Sequence, residues 1–349
     1  MTERETTSLD AYDYAFPPEA VALTPAHPRD AARLLVVRED GETDAAFRDL
    51  GDHLPPGAVL VLNDTKVVPA RVMVRKPTGG AVELLLVGRE GSCVVALANK
   101  RLAPGDVLTG AARSQWTVLE EAEKGWKIRT SVPRAKFDAF LLKHGQTPLP
   151  PYMKQSPLSE RERRREYQSV LAHTRGSVAA PTASLHFTKA LLAKLRRRGV
   201  RIITITLHVG LGTFAPVTDE HLRTGKLHAE RYFLTAAAAT ALAAAKREGR
   251  PIIPVGTTAL RAIESAADVR GHIVRRSGET RLFIREGYRF RLADGLITNF
   301  HVPRSSLLML VSALVGRERL MALYRGAIAR GYRLFSFGDA MLVVPWKRG

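Results

Sequence analysis

The sequence predicts an α/β protein: a layered, mostly parallel sheet domain that carries an inserted antiparallel β domain. From residue 188 onward, short apolar strand runs alternate with helical segments, which is typical of parallel sheets. Between about residues 70 and 135, short β-like runs separated by Gly, Pro and Asp turns are typical of a small antiparallel sheet or barrel. The chain has 349 residues, more than one ordinary domain, which favours a large domain plus a smaller one.

Local signals place the elements along the chain. A first buried strand, VLVL at 59–62, ends at Asn63 and precedes the antiparallel segment. After PLPPY at 148–152, FTKALLAKLRRRG predicts a helix with Thr188 as its N-cap and Gly199 at its end. The later elements are strands at 201–209, 252–255 and 296–300, and helices at 235–249, near Ala259, at LLMLVSALVG and at 317–330. The predicted domains are therefore a discontinuous α/β domain, 1–66 and 148–349, and an inserted antiparallel domain, 67–147.

Composition excludes several classes of protein. The single cysteine, Cys93, rules out intramolecular disulfides and C-x-x-C metal sites, and it favours a reducing, cytosolic setting. The polar N-terminus, MTERETTSLD, lacks the apolar segment of a signal peptide. The longest apolar runs, near 236–245 and 307–316, are short of the roughly 20 residues that span a bilayer. We therefore expect no membrane partner.

The charge balance favours a polyanionic partner. Lys and Arg outnumber Asp and Glu by 53 to 34, a net charge of +19, which is typical of proteins that bind nucleic acid. Two other interpretations stay open, namely arginine enrichment from a GC-rich genome and charge that serves solubility. The segment SERERRREY at 159–167 is expected to be an exposed linker or helix start. Its candidate phosphate contacts are Arg161, Arg163, Arg164 and Arg165.

Three predicted strands end in similar polar groups. Because ligands in open α/β sheets bind beyond the carboxyl ends of the strands, we expect these groups to line one site. An alternative role for Thr258, Ser305 or Ser306 is that of a helix N-cap. The polar groups at the strand ends are, in chain order, His208, Gly210, Gly212, Thr213, Gly256, Thr257, Thr258, Thr298, Asn299 and His301.

Further candidates lie on two nearby segments. Arg261 and Glu264 are three residues apart on a predicted helix, so one face of that helix could hold a charged ligand. His228 and Glu230 share one face of an extended segment and, with His208, are candidates for proton transfer. Each histidine has the alternative role of a satisfied structural residue. The histidines and carboxylates show no metal-site spacing, and no phosphate-loop or dinucleotide glycine motif occurs, so no metal is predicted.

Nine segments match a known family in its own order, between about residues 12 and 344. They are NDTKVVPAR, PLPPY, YQSV, GSVAAPTASLHFT, TITLHVGLGTFAPV, HAERY, VGTTALRAIES, ITNFHVPRSSLLMLVSALVG and FSFGDAML. Together they resemble the S-adenosylmethionine:tRNA ribosyltransferase-isomerase family of the queuosine pathway. Some positions depart from the family pattern: Ser184 replaces a usual glycine, Ala259 and Ala32 replace serines, Glu286 replaces a proline, and Phe337 replaces a tyrosine.

The resemblance implies an α/β domain with an inserted β-barrel, and it implies an activity. Members of the family transfer and isomerise the ribosyl part of S-adenosylmethionine onto 7-aminomethyl-7-deazaguanine at the tRNA wobble position, which gives epoxyqueuosine, adenine and methionine. The expected partner is a tRNA anticodon stem–loop, the cosubstrate is consumed, and the chain is expected to be a monomer. Two alternatives stay open: a relative that acts on another nucleobase, and a non-catalytic RNA-binding scaffold.

From the chemistry that the resemblance implies, we hypothesise roles for the candidate residues. The proton-transfer set is His186, His208, His228 and Glu230. In GSVAAPTASLHFT, small side chains such as Ala180 are expected to let the backbone approach a nucleotide closely, while Pro181 limits flexibility. The residues expected to bind the cosubstrate or the target nucleotide are Asp64, Thr182, Gly210, Gly212, Thr213, Thr257, Thr258, Arg261, Thr298, Asn299, His301 and Asp339.

Overall fold

The computed structural model describes residues 8–122, 125–210 and 217–344, which form a nine-stranded sheet, a closed six-stranded barrel and a two-stranded pair. The strands are β1 (Arg33–Arg38), β2 (Gly41–Ala46), β3 (Val59–Asn63), β4 (Thr65–Val67), β5 (Arg71–Arg75), β6 (Ala81–Glu90), β7 (Cys93–Ala98), β8 (Val107–Gly110), β9 (Gln115–Ala122), β10 (Gly125–Thr130), β11 (Thr174–Ser177), β12 (Arg201–His208), β13 (Lys226–Phe233), β14 (Ile252–Val255), β15 (Ser277–Leu282), β16 (Leu296–Asn299) and β17 (Ala340–Val343). The helices are α1 (Leu50–His53), α2 (Phe137–His144), α3 (Glu160–Glu166), α4 (Lys189–Arg197), α5 (Asp219–Thr224), α6 (Ala236–Arg247), α7 (Thr257–Ala266), α8 (Ser306–Val315) and α9 (Arg317–Ala329).

The large sheet has a parallel centre. Its order is β15-β13-β12-β3-β14-β16-β17-β1-β2, and the four neighbours β12, β3, β14 and β16 run parallel. Every residue of β3 and β14 is buried, as expected for parallel strands covered on both faces. On one side of this centre, β13 pairs antiparallel with both β12 and β15. On the other side, β17 pairs antiparallel with β16, and β2 pairs antiparallel with β1. The predicted α/β class is confirmed.

Helices cover both faces of the sheet centre. Helices α6 to α9 pack on one face around Leu242, Ile263 and Met309, while α4 packs on the other face through Leu195. The hydroxyl of Thr188 accepts a hydrogen bond from the Leu191 N–H at 3.0 Å, so the predicted N-cap of α4 is present. Full burial of a leucine or isoleucine side chain contributes about 1.5–3 kcal/mol, which makes these faces the main source of stability.

The inserted domain is a closed antiparallel barrel of order β10-β7-β6-β5-β8-β9. Its interior is filled by buried apolar side chains, among them Val74, Leu84 and Trp116, which alternate with exposed positions along the strands. The predicted antiparallel β-barrel inserted in an α/β fold is therefore confirmed. The domain limits at 66/67 and 147/148 stay a prediction.

The arginine-rich segment forms α3, and the structure changes its interpretation. Ser159 caps this helix through a capping box with Glu162. Arg164 donates to Glu160 at 2.8 Å and to two backbone carbonyls, and Arg163 donates to the Ser156 carbonyl at 3.0 Å. These two predicted phosphate contacts thus have partners inside the fold. In the part of the chain that the structure describes, no helix has the length and apolar character to cross a membrane.

Candidate active-site cleft

A cleft lies at the carboxyl ends of the parallel strands. Because β12, β14 and β16 run in the same direction, the residues that follow them meet at one edge of the sheet. The empty volume of the cleft is about 720 Å³, counted out to its open mouth. The cleft is lined by Pro150, Tyr152, Tyr167, Ala179, Ala180, Pro181, Thr182, Ala183, Val209, Gly256, Thr257, Thr258, Thr298, Asn299, Phe300, His301, Val302, Leu307, Phe335 and Ser336.

The turn from β14 into α7 presents backbone and hydroxyl groups to the cleft. Gly256 has φ +88°, a conformation that favours glycine, and no side chain caps the first turn of α7. The Thr258 hydroxyl accepts a hydrogen bond from the Asn63 amide at 3.2 Å, so the alternative role of Thr258 as an N-cap is not observed. Ser305, in contrast, does cap α8. Thr257 and Thr258 therefore face the cleft from a rigid helix start.

Asn299 is held by His186 from behind the cleft. The His186 Nε2 lies 3.3 Å from the Asn299 Oδ1, and the Asn299 amide nitrogen donates to the carbonyls of Phe335 and Ser336 at 2.8 and 3.3 Å. The His186 ring also packs on Phe47, with ring centroids 4.9 Å apart. Burial lowers the pKa of His186 to about 4, so its imidazole is neutral at pH 7. His186 thus orients Asn299 and does not itself line the cleft.

His301 forms part of the cleft wall as a second neutral imidazole. Its Nε2 lies 2.7 Å from the Thr298 hydroxyl. Its backbone is fixed by Tyr324, whose hydroxyl accepts the His301 N–H at 2.8 Å, and by Tyr14, whose hydroxyl donates to the His301 carbonyl. Burial lowers the pKa of His301 to about 3. None of the described residues that line the cleft carries a formal charge near pH 7.

These two buried imidazoles predict a pH dependence of stability. In unfolded chains a histidine binds a proton below about pH 6.5, whereas His186 and His301 stay neutral in the folded state down to about pH 4. Each therefore lowers the free energy of unfolding by about 1.4 kcal/mol per pH unit as the pH falls through this window. Urea unfolding at pH 7 and pH 5 measures the slope. In the His186→Asn variant, this slope should fall by the contribution of one histidine, about 1.4 kcal/mol per pH unit.

His208 lies in a neighbouring cavity. Its Nδ1 is 2.9 Å from the Thr65 hydroxyl, and the backbone of Gly176 lies directly against its ring. A Cβ at Gly176, where φ is +139°, would lie 3.0 Å from the imidazole, so glycine is required there. Burial lowers the pKa of His208 below its ordinary value, which the nearby Asp64 carboxylate opposes. His208 is therefore a neutral, oriented imidazole one residue before the cleft-lining Val209.

Glu230 and Arg261 form a buried ion pair with each other. The Arg261 guanidinium donates to one oxygen of the Glu230 carboxylate, and the Gly210 N–H donates to the other at 3.3 Å. Arg261 also donates to the Leu282 carbonyl at 3.0 Å. Neither side chain lines the cleft. Glu264, which the spacing places on the same helix face as Arg261, instead accepts backbone N–H groups of residues 291–293, so it does not share a ligand contact with the guanidinium in this structure.

Other predicted residues lie outside the cleft. Both carboxylate oxygens of the buried Asp339 accept backbone N–H groups, from Arg33 at 2.9 Å and Arg333 at 2.8 Å. Asp339 thus joins the 333–339 loop to β1, and we correct its predicted role from ligand binding to structure. Asp64 lies beside His208 and accepts from the Thr206 hydroxyl at 2.7 Å. His228 packs on His221, whereas Gly212 and Thr213 lie outside the described residues.

Several residues of the cleft region were not predicted from the sequence. Asn63 is fully buried at the end of β3, and its amide bonds the backbone of Leu207 and the Thr258 hydroxyl. Tyr152, from the PLPPY segment, bonds Ser336 at 2.8 Å, and burial raises its pKa to about 12. An amide directly after an apolar strand was the available signal for Asn63. Ser184, which replaces the usual glycine of the family pattern, has a fully buried hydroxyl with no hydrogen-bond partner and does not line the cleft.

Comparison with known proteins decides the family. The family model described as "Queuosine biosynthesis protein" matches residues 9–343. The chain belongs to this family. It is 48% identical over 342 residues to the S-adenosylmethionine:tRNA ribosyltransferase-isomerase of Gloeobacter violaceus, covering 96% of each chain. The enzyme of the same name from Thermus thermophilus is 45% identical over 360 residues, covering 96% of this chain and 99% of that one.

A solved structure supports the same assignment. The crystal structure of an S-adenosylmethionine tRNA ribosyltransferase from Thermotoga maritima aligns with a TM-score of 0.54 at 31% identity. The alignment covers 96% of this chain and all of that one. The resemblance inferred from the nine segments is therefore confirmed for the family and the fold. Within the described ranges, no group of three or more His, Cys, Asp or Glu side chains is arranged to hold a metal.

Proposed function

We propose that this queuosine-family protein transfers and isomerises the ribosyl part of S-adenosylmethionine onto 7-aminomethyl-7-deazaguanine in a tRNA anticodon stem–loop. Full-length similarity to enzymes of that name supports the reaction. The single structural observation that carries the proposal is the uncharged cleft at the carboxyl ends of the parallel strands. The net charge of +19 favours a tRNA substrate.

The residues that line the cleft are suited to bind the adenosyl part of S-adenosylmethionine. Its walls combine small and aromatic side chains, such as Ala180 and Phe335, with hydroxyls from Thr257 and Thr298. A nucleoside is itself uncharged, with an apolar ring and several hydrogen-bonding edges. A lining without Lys or Arg also avoids repulsion of the sulfonium cation. We therefore assign the cosubstrate nucleoside to this cleft, with Thr257, Thr258, Thr298 and His301 as its polar contacts.

We assign His208 to the acceptor amine. The 7-aminomethyl group must lose a proton before its nitrogen can attack the ribosyl carbon. His208 lies in the cavity next to the cleft, and burial keeps its imidazole neutral and able to accept that proton. Thr65 fixes Nδ1, which leaves Nε2 as the nitrogen for proton transfer. In this arrangement the donor binds on one side of the Gly176–Thr182 segment and the acceptor on the other.

The small side chains of this segment give a second prediction. Ala180 is buried in the cleft wall, so Ala180→Leu should fill the space that the nucleoside needs. We expect the Michaelis constant for S-adenosylmethionine to rise about tenfold, a loss of roughly 1.4 kcal/mol of binding. Steady-state kinetics with tRNA in excess measure it. Ala237→Leu on the exposed face of α6 is the matched control, and unchanged kinetics in both variants would make the segment structural only.

One assay tests the function itself. The protein is incubated with S-adenosylmethionine and tRNA that carries 7-aminomethyl-7-deazaguanine, and free adenine and the mass of the tRNA are measured. Adenine release with a matching increase in tRNA mass is expected. Release only with a different acceptor base would indicate a divergent relative. Binding of tRNA without release of adenine would contradict the proposed activity.

A further inference from the structure

In the part of the chain that the structure describes, a cavity lies over one face of the sheet edge formed by β12, β13 and β15. The opposite face of the same strands is buried against α6 and α7, through residues such as Leu207, Tyr232 and Leu242. We call the side below the cavity the open face. Its residues are Thr204, Thr206 and His208 of β12, Arg231 and Phe233 of β13, and Ser277, Glu279 and Arg281 of β15.

Phe233 on the open face is unusual for its exposure. Among the aromatic side chains in residues 8–122, 125–210 and 217–344, it alone is classed as exposed, at 49%. Leaving a phenylalanine in water forgoes the roughly 1.5–3 kcal/mol that its burial would contribute. The exposed ring therefore offers an apolar, aromatic surface on which a ligand could stack.

Strand register places the other groups of the open face around Phe233. Thr206 of β12 and Ser277 of β15 are its direct cross-strand partners. The adjacent row joins His208, Arg231 and Glu279. Residues paired directly across antiparallel strands lie on the same face, so the ring has a hydroxyl on each side and a cation in the next row.

The open face combines a wide, exposed cavity with a cation. Residues of β12, β13 and β15 line this cavity together with His173 and Thr174. The Arg231 side chain is 81% exposed, and the Glu279 carboxylate lies 3.6 Å away in a solvated pair. The second acid of the cavity, Asp64, is already bonded to Thr206.

We propose that the open face binds single-stranded nucleotides of the RNA loop that flank the target base, with one base stacked on Phe233 and a phosphate on Arg231. Base–aromatic stacking beside cations on an exposed sheet is a common means of binding single-stranded RNA. The open face is continuous with the acceptor side of the site, because His208 belongs to both. The inference rests on the proposed function for the identity of the RNA.

The test measures binding of an unmodified anticodon stem–loop RNA to the full-length protein by fluorescence anisotropy. Phe233→Leu keeps an apolar side chain but removes the stacking surface, so Kd should rise about fivefold or more, and Phe233→Tyr should restore it. Arg231→Ala should weaken binding and reduce the slope of log Kd against log salt by about one phosphate contact. Matched controls are Leu97→Ala, an exposed side chain on the barrel, and Arg270→Ala, beyond the far end of α7.

Kinetics separate this inference from the proposed function. For Phe233→Leu, we expect the Michaelis constant for tRNA to rise in parallel with Kd, while the value for S-adenosylmethionine stays within twofold of wild type. Wild-type Kd in both Phe233→Leu and Arg231→Ala, alongside normal adenine release by the wild type, would overturn the open face as an RNA site and leave the function intact. No adenine release by the wild type, with weakened RNA binding in Phe233→Leu, would overturn the function and keep the RNA site.

Discussion

Replacing His208 with alanine is expected to lower kcat for adenine release at least about 100-fold, the lower range for loss of a general acid or base. The imidazole is neutral because burial lowers its pKa, and the Thr65 hydroxyl orients its Nδ1. Without it, the acceptor ammonium would have to lose its proton to water. The measurement is single-turnover adenine release with saturating tRNA and S-adenosylmethionine.

A pH profile distinguishes this role from a structural one. A base with a lowered pKa keeps its free lone pair below about pH 6.5, so wild-type activity should fall only at more acidic pH. The residual activity of His208→Ala should lack that acidic limb. Replacing the exposed His272 by alanine is the matched control and should leave kcat and the profile unchanged. Full activity in His208→Ala would remove His208 from the mechanism.

The location of the cleft could be predicted from the sequence because it depends on local patterns. Apolar runs that end in polar residues mark the carboxyl ends of strands, and parallel strands bring those ends together. Thr257, Thr298 and Asn299 were found in this way, and the structure places all three in the cleft wall. His186 was also predicted as a site residue. Its contact with Asn299 was not predicted, because the two residues are 113 positions apart in the chain and only the tertiary fold brings them together.

The ion pairs and the open face could not be predicted, because they depend on strand register. Glu230 meets Arg261 only because β13 packs beside α7, and neither residue has a sequence signal for the other. Asp339 follows a serine–phenylalanine–glycine turn that resembles a ligand loop, yet its oxygens bond backbone groups of Arg33 and Arg333. In the sequence, Phe233 of HAERYF is typical of an ordinary strand residue. Only the strand register shows that its ring lies on the exposed face of the sheet.

Replacing Glu230 with glutamine is expected to lower the free energy of unfolding by about 3–5 kcal/mol, the usual cost of breaking a buried ion pair. The Arg261 guanidinium would keep its charge in a buried site, where its Nη2 already lacks a hydrogen-bond partner. Urea unfolding at pH 7 measures the change. The matched control is Glu248→Gln, which removes the solvated ion pairs of Glu248 with Arg201 and Arg250 and should change stability far less.

The double variant Glu230→Gln, Arg261→Met then separates packing from chemistry. Removing both charges relieves the buried unpaired guanidinium, so stability should return to within about 1–2 kcal/mol of wild type. If Glu230 serves only to hold Gly210 and α7 in place, adenine release should recover with the fold. If Glu230 transfers a proton, as its place in HAERY first indicated, the refolded double variant should stay at least about 100-fold slower than wild type. A stable Glu230→Gln single variant with a large loss of kcat would contradict the ion-pair interpretation, because the paired charge would then contribute to the reaction and not to folding.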